Sequence, residues 1–287
     1  MEHYKFALIG RNIGYSLSPE IFKCVYDIEN VSGEFETIDC GQEELPAMLK
    51  EMKERGFRAA SVTIPHKEAI IPHLDEVDNT ARAIRSVNSV KFNSDLIEGF
   101  NTDVYGFSEP LKPYATQLKG KNVVALGAGG AARAIAYGLA ANFEVGSITL
   151  LNRTASRLEA ATAAIREALP GIDLTAHEWS PKQRLSEVLE ALPNQNDFPA
   201  LIVNCTPVGG PNIQDVGDFD PLNGMPSSVI YYDLSYNKAN PLVKKAKLAG
   251  HVVIDGLPML IHQALRSYYL WTGRSIDFDA VLNSLKP

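Results

Sequence analysis

The chain has 287 residues, 45% of them hydrophobic, and a formal net charge of −7. That length predicts two domains with well-buried cores, and an acidic balance with no Lys/Arg cluster argues against a nucleic-acid partner. No apolar run reaches the ~18 residues of a membrane helix, the N-terminus lacks a signal-peptide layout, and Cys24, Cys40 and Cys205 fit neither a zinc pattern nor a disulfide framework, so the expectation is a reducing, cytoplasmic setting with no membrane partner.

In the first half, residues 4–9 read as a buried strand, and 10–19 as a loop in which Ser18 is placed to cap the helix that Pro19 opens, running to about Glu29. Ser16 and Ser18 lie two apart just before that helix. Two hydroxyls there can hold a small carboxylate or hydroxyl, or Ser18 simply caps. A strand is expected over 34–39, a helix over 43–55 ended by Gly56, and a third strand over 58–64. Pro65-His66-Lys67 opens a short helix, where a lysine is electrostatically misplaced; it reads as a solvated surface group or as a residue kept for another purpose. His66 reads as a surface or packing residue and not as a catalytic base. A further helix covers about 77–84, and 89–92 with 96–100 form a hairpin around Asn93-Ser94-Asp95. Asn101-Thr102-Asp103 then precedes a helix over 104–111, with Thr102 or Asp103 as its cap or as the lip of a site.

The polar stretch 112–121, with Pro113 and Gly120, is the expected domain link. Beyond it strands and helices alternate: strand 122–126, helix 130–141, strand 147–151, helix 155–168, strand 172–177, a helix over about 183–191, then strands at 200–204, 229–233 and 252–255. This predicts an α/β chain whose second domain is a doubly wound parallel sheet. A long amphipathic helix over 257–271 and a short one over 278–285 follow, and these can return to the first domain. At the first strand–helix junction Gly127, Gly129 and Ala132 fill the G-x-G-x-x-G/A pattern, in which the turn and the helix N-terminus hold a pyrophosphate. The second strand ends in Asn152-Arg153-Thr154, with Arg157 beyond and no carboxylate over 150–157. An acid there favours NAD, whereas arginine pairs with a 2′-phosphate, so the cofactor expected is NADP. The alternative is that Thr154 merely caps the next helix. Asn204-Cys205-Thr206-Pro207-Val208-Gly209-Gly210 closes a further strand at the end where open α/β sheets bind ligands. No metal is expected.

In order, the chain carries Ser16-Leu17-Ser18-Pro19, Val62-Thr63-Ile64-Pro65-His66-Lys67, Val87-Asn88-Ser89, Gly99-Phe100-Asn101-Thr102-Asp103, the glycine turn, Asn152-Arg153-Thr154, Asn204-Cys205-Thr206-Pro207-Val208-Gly209, Asp233-Leu234-Ser235-Tyr236, and Gly256 onward through Gln263-Ala264 to Trp271-Thr272-Gly273. Taken together, these ordered motifs resemble the shikimate/quinate dehydrogenase family. The resemblance implies a substrate domain, 1–111, completed by helices over about 257–287, and a Rossmann NADP domain over 112–256. It implies that Ser16, Ser18 and Tyr236 hold a substrate carboxylate, that Thr63, Asn88, Asp103 and Gln263 bind ring hydroxyls, and that Lys67 and Asp103 form the catalytic pair. Gly127, Ala128, Gly129, Gly130 and Ala131, with Asn152, Arg153, Thr154 and Arg157, are the implied NADP residues; Thr206, Val208, Leu234 and Gly256 line its nicotinamide end. Ser61 stands where the family usually has asparagine, Gly14-Tyr15 where it tends to Ala-His, and Ser89 where threonine is common. The activity implied is reduction of 3-dehydroshikimate to shikimate in aromatic amino-acid synthesis. Alternatives are a catabolic quinate/shikimate dehydrogenase of relaxed cofactor use and a non-catalytic paralogue sensing shikimate or NADP. The partner expected is a small-molecule substrate, and the chain a monomer or homodimer.

Overall fold

Two periods of buried residues dictate two sheets. The computed structural model of the chain describes residues 2–94, 96–192, 198–210, 213, 215–236 and 239–285, and it divides into two units: Met1–Gly106 with Leu260–Pro287, and Phe107–Met259.

The first unit is built on β1 (His3–Gly10), which is buried on both faces. Tyr4 and Phe6 point into an aromatic layer with Phe22, Tyr268 and Trp271, while Ala7 and Ile9 join the opposite core, as the two-residue side-chain period of a strand requires. The helix α1 (Ser18–Glu29) ends at Asn30, which takes the left-handed conformation with φ 52°. Then come β2 (Ser32–Asp39) and, after a 3-10 turn, α2 (Leu45–Glu54), which puts Leu45, Leu49 and Met52 into the second core. Next are β3 (Ala59–Val62), α3 (His66–Ala69), β4 (Glu76–Val77) and α4 (Asn79–Ile84), the last capped by Asp78. The hairpin β5 (Ser89–Phe92) and β6 (Ile97–Phe100) leads into α5 (Asp103–Ser108); its turn residue Asp95 lies outside the described residues.

The strand order is β2-β1-β3-β5-β6-β4. β1 runs parallel to β2 and β3, while β5 is antiparallel to both β3 and β6. That alternation decides where the site falls. The carboxyl ends of β1, β3 and β6 and the amino end of β5 all reach the same edge of the sheet.

The second unit starts from a helical stretch. Of the residues expected to form a polar link, 112–121, most are helical instead: they continue a 3-10 helix, Glu109–Tyr114, that begins in the expected helix over 104–111, and make a turn of helix, α6 (Ala115–Leu118). Leu111 and Leu118 are buried with Phe107 in this unit's core, and that burial draws the stretch out of a linker role. The sheet then follows: β7 (Asn122–Leu126), α7 (Gly130–Phe143), β8 (Ser147–Asn152), α8 (Ala155–Ala168), β9 (Asp173–Glu178), α9 (Leu185–Glu190), β10 (Leu201–Asn204), β11 (Ile230–Asp233), α10 (Pro241–Leu248) and β12 (Val253–Ile254). The strands are all parallel, in the order β12-β11-β10-β7-β8-β9. This is the doubly wound arrangement, with its reversal of winding between β7 and β10. α10, which the sequence reading passed over, is capped by Asn240, whose Oδ1 accepts the Leu242 and Val243 N–H groups. The last helices are α11 (Gly256–Thr272) and α12 (Phe278–Ser284). The segment from Leu260 onward belongs to the first unit, so the C-terminal helices do return to it. There Trp271 Nε1 donates to Ser89 Oγ at 2.9 Å, and Lys91 Nζ to the Leu270 carbonyl at 3.1 Å. Among the described residues no helix is long and apolar enough to cross a membrane.

Candidate active site

In the first unit, four chain segments meet at the shared sheet edge. Thr63 extends from β3, its N–H donating to the Ile9 carbonyl of β1. Gly10 is required beside it, since a Cβ there would come within 2.6 Å of Thr63 Cγ2. His66 is fully buried and bonds through Nε2 to the Cys40 carbonyl at 2.9 Å, which makes it the packing residue and not the surface one of the two readings. It anchors the start of α3, which carries Lys67. The Val87 N–H donates to the Lys67 carbonyl, and the Asn88 N–H to the Phe100 carbonyl of β6, so α3, the lead-in to β5 and the end of β6 are laced together.

Asn101, rather than Thr102 or Asp103, caps the next helix: its Oδ1 accepts the Val104 N–H at 3.2 Å and its Nδ2 donates to the Ser86 carbonyl. Thr102 and Asp103 are thereby released from capping, and both are buried. Lys67 Nζ donates to Asp103 Oδ2 at 2.6 Å. Asn88 Nδ2 lies 2.9 Å from Asp103 Oδ1, 2.9 Å from Thr102 Oγ1 and 3.3 Å from Gln263 Oε1, while Asn88 Oδ1 accepts the Thr102 N–H at 2.7 Å. An amine and a carboxylate 36 residues apart in sequence are therefore one hydrogen-bonded pair, and the amide that steadies the carboxylate also reaches α11. Such a pair, partly open to solvent, can hold a ligand oxygen and exchange a proton with it.

Ser16 and Ser18 also meet, at 3.1 Å between hydroxyls. The Ser18 N–H donates to Ser16 Oγ, and the residue in the cap position of α1 is Leu17, with no side-chain cap. Ser18 is thus the first helical residue and not its cap, which keeps its hydroxyl for other partners. Ser267 is a member of the network that sequence reasoning left out, and Thr102 one to which it gave only a cap or a place on the lip of a site. Ser267 Oγ lies 3.0 Å from Thr102 Oγ1, and the available signal was its place four residues after Gln263, on the same helix face.

In the second unit, the glycine turn has the conformation its pattern predicts. Gly127 has φ +112°, and a Cβ on it would sit 3.3 Å from the Cys205 backbone. Gly129 has nothing within 4 Å of such an atom, so its backbone is open to close approach, and Ala132 is fully buried against the sheet. The side chain of Thr154 makes no cap bond to α8. Arg153 and Arg157 are exposed and, among the described residues, have no ion-pair or hydrogen-bond partner. A glycine turn at a helix N-terminus, with two uncommitted cations after the next strand, fits a dinucleotide carrying an additional phosphate.

At the ends of β10 and β11, Asn204 Nδ2 bonds Asp233 Oδ2 at 3.0 Å and the Val208 carbonyl at 3.1 Å. Thr206 Oγ1 in turn donates to Asn204 Oδ1 at 2.6 Å. This buried amide–carboxylate pair sets the course of the loops that carry Thr206, Val208 and Leu234. Gly256 is required where it is, because a side chain would strike the Leu234 carbonyl. Burial pushes the Cys205 thiol well up, which keeps it neutral and unreactive. Tyr236, half-buried, follows β11 and belongs to this second unit. Among the described residues no group of three His, Cys, Asp or Glu side chains is arranged to hold a metal.

Two family models match the chain: the shikimate dehydrogenase substrate binding domain over residues 8–90 and the shikimate 5'-dehydrogenase C-terminal domain over 256–286. The shikimate dehydrogenase (NADP(+)) of Caldanaerobacter subterraneus subsp. tengcongensis is 34% identical over 283 residues, which is 98% of this chain and 96% of that protein. The crystal structure of shikimate dehydrogenase from Aquifex aeolicus superposes with a TM-score of 0.84 at 29% identity, covering 99% of this chain and 98% of that one. A shikimate dehydrogenase in complex with NADP+ does so with 0.84 at 30% identity, covering 98% and 94%.

Proposed function

Because the chain belongs to the shikimate dehydrogenase family, we propose that Lys67 and Asp103 are its catalytic pair and that the residues bonded around them hold the substrate ring. The protein is an NADP-dependent oxidoreductase that interconverts 3-dehydroshikimate and shikimate. NADP, when bound, supplies or takes up the hydride that converts ring carbonyl to ring alcohol. Gly127 to Ala131 offer the backbone groups and helix terminus for its pyrophosphate, Asn152 and Thr154 hydrogen-bonding groups, and Arg153 and Arg157 the cations for its 2′-phosphate. Thr206, Val208, Leu234 and Gly256 border its nicotinamide end.

The chemistry asked of the protein's own side chains is proton handling. As the substrate carbonyl becomes an alcohol its oxygen gains negative charge, and the Lys67 ammonium both stabilises that charge and delivers the proton; in the oxidation direction the amine takes the proton back. Asp103 keeps the ammonium in place through the 2.6 Å bond. Asn88 occupies the other carboxylate oxygen, so Asp103 cannot rotate away. Thr63, Asn88 and Gln263 carry the groups for the ring hydroxyls, and the Ser16–Ser18 pair, at the start of α1, suits a carboxylate. Tyr236 is the residue of the second unit assigned to the substrate.

The observation that carries this reading is the Lys67–Asp103–Asn88 chain of hydrogen bonds. The test compares initial rates of the purified protein on shikimate and on quinate, each with NADP+ and with NAD+. The expected result is fastest turnover of shikimate with NADP+. No activity on shikimate, or equal rates with both cofactors, overturns it.

A further inference from the structure

Resting on that reading, we infer that Ser267 is a positioning residue for substrate binding: it acts through Thr102 to set the hydrogen-bond direction of the Asn88 and Gln263 amides. Neither hydroxyl is among the groups assigned to the substrate, and both are buried, Ser267 at 0% and Thr102 at 1% exposure.

Counting donors and acceptors leads to one arrangement. The Thr102 backbone N–H is a fixed donor, so the Asn88 atom 2.7 Å from it is the carbonyl oxygen. Asn88 Nδ2 therefore faces Asp103, Thr102 and Gln263 with two protons for three acceptors. The two acceptors at 2.9 Å, Asp103 Oδ1 and Thr102 Oγ1, take them, and Gln263 Oε1 at 3.3 Å is left short. Gln263 cannot resolve this by turning over, because its Nε2 donates to the Leu260 carbonyl at 2.9 Å. The remaining proton within reach is that of the Thr102 hydroxyl, which lies 3.3 Å from Asn88 Oδ1, already served by the Thr102 N–H, and 3.5 Å from Gln263 Oε1, which has no full donor.

That proton is free to serve Gln263 only if Thr102 accepts from Ser267 and does not donate to it. Among the described residues Ser267 Oγ has no acceptor other than Thr102 Oγ1, at 3.0 Å. A Ser267 hydroxyl that accepted instead would bury its own proton unpaired, at a cost that selects against that state. Ser267 is the donor. Its bond fills the second lone pair of Thr102, directs the threonine proton at Gln263 Oε1, and leaves the second Nε2 proton of Gln263 for a substrate hydroxyl. The i, i+4 spacing on α11 places Gln263 and Ser267 over Thr102 together.

The test measures shikimate affinity of the cofactor-free protein by titration calorimetry, and steady-state kinetics with NADP+, for wild type, Ser267→Ala, Thr102→Val and the double variant. Ser267→Ala is expected to raise the shikimate Kd and KM roughly 3- to 10-fold, the scale of one buried hydrogen bond. It should leave kcat within about twofold, because the Lys67–Asp103 pair is untouched. Ser267→Cys, near-isosteric with a weak donor, is expected between the two. In the double variant the loss should not exceed that of Thr102→Val alone, since the serine acts only through the threonine. A Ser267→Ala protein that binds shikimate like wild type overturns the inference, as do penalties that multiply in the double variant. Wild-type protein that neither binds nor oxidises shikimate overturns the proposed function and this inference with it, whereas an active wild type beside an unaffected Ser267→Ala overturns the inference alone.

Discussion

Lys67→Ala separates proton transfer from substrate holding. The substitution removes the 2.6 Å partner of Asp103. Asp103 is then left with the Asn88 amide on one oxygen and a bare second oxygen whose side chain is 8% exposed. Breaking a fully buried pair costs about 3–5 kcal/mol, but the Lys67 side chain is 21% exposed, so water enters the vacated space and the folding loss is expected nearer ~1–2 kcal/mol. That is small against a typical margin of about 5–15 kcal/mol, so the variant remains almost wholly folded. The catalytic loss is larger: removing a positioned general acid lowers turnover by roughly 10²- to 10⁴-fold, about 3–5 kcal/mol of barrier. The assay is steady-state oxidation of shikimate followed by reduced-nicotinamide absorbance, alongside urea unfolding of the same preparation. The expected pattern is a collapse of kcat, KM within a few-fold of wild type, and an intact cooperative transition. A variant that unfolds normally and keeps kcat within about threefold of wild type refutes the role given to Lys67.

Asn88→Ala strands the buried Thr102 N–H and releases both Asp103 Oδ1 and Gln263 Oε1; at about 1–3 kcal/mol for an unsatisfied buried group plus the lost bonds, urea unfolding should show roughly 2–4 kcal/mol of destabilisation, and a loss under ~1 kcal/mol contradicts the network. Replacing both Arg153 and Arg157 with alanine should raise KM for NADP+ at least about tenfold while leaving that for NAD+ near its wild-type value, two charge-assisted bonds being at stake; parallel changes for both cofactors place the arginines elsewhere. Gly127→Ala meets the Cys205 backbone in a left-handed conformation, so a melting-temperature drop matching about 1–3 kcal/mol is expected, with weakened NADP+ binding. Burial pushes the Asp78 carboxyl up from its ordinary value, against the lowering effect of the Ala81 N–H it caps. A raised folded pKa means that its favourable contribution is complete below the unfolded carboxylate range and is lost as pH rises through the folded value. Asp78→Asn keeps the capping acceptor without the buried charge, so its stability relative to wild type should rise as pH climbs through that range; a relative fall in denaturation midpoint tells against the assignment.

Much of the candidate site was legible because its chemistry sits in short stretches. The turn from Gly127 to Ala132 needs a positive φ, open backbone and a close helix, and each need selects a residue type that reads directly from the chain. Lys67 and Asp103 were legible only through their place in ordered motifs, since a lysine at a helix start and an aspartate before a helix have plain local explanations. The structure removed one of those explanations by assigning the cap to Asn101, and it removed another at α1, where Ser18 is inside the helix.

Local period and capping chemistry are properties of neighbouring residues, and so strands such as β7 and helices such as α8, which spans the predicted bounds, could be read in advance. The same holds for the residue types after β8, two arginines and no carboxylate over 150–157. What lay beyond the chain order was which segments share an edge. The antiparallel pairing of β5 with β6 brings Asn88 beside Asp103, and the return of α11 brings Gln263 and Ser267 to Thr102 from more than 160 residues away. A hydrogen bond depends on distance and direction in space, which sequence separation does not encode. For that reason the folded chain alone decided which hydroxyl answers which amide, and moved residues 112–118 from a linker into helical turns on a core.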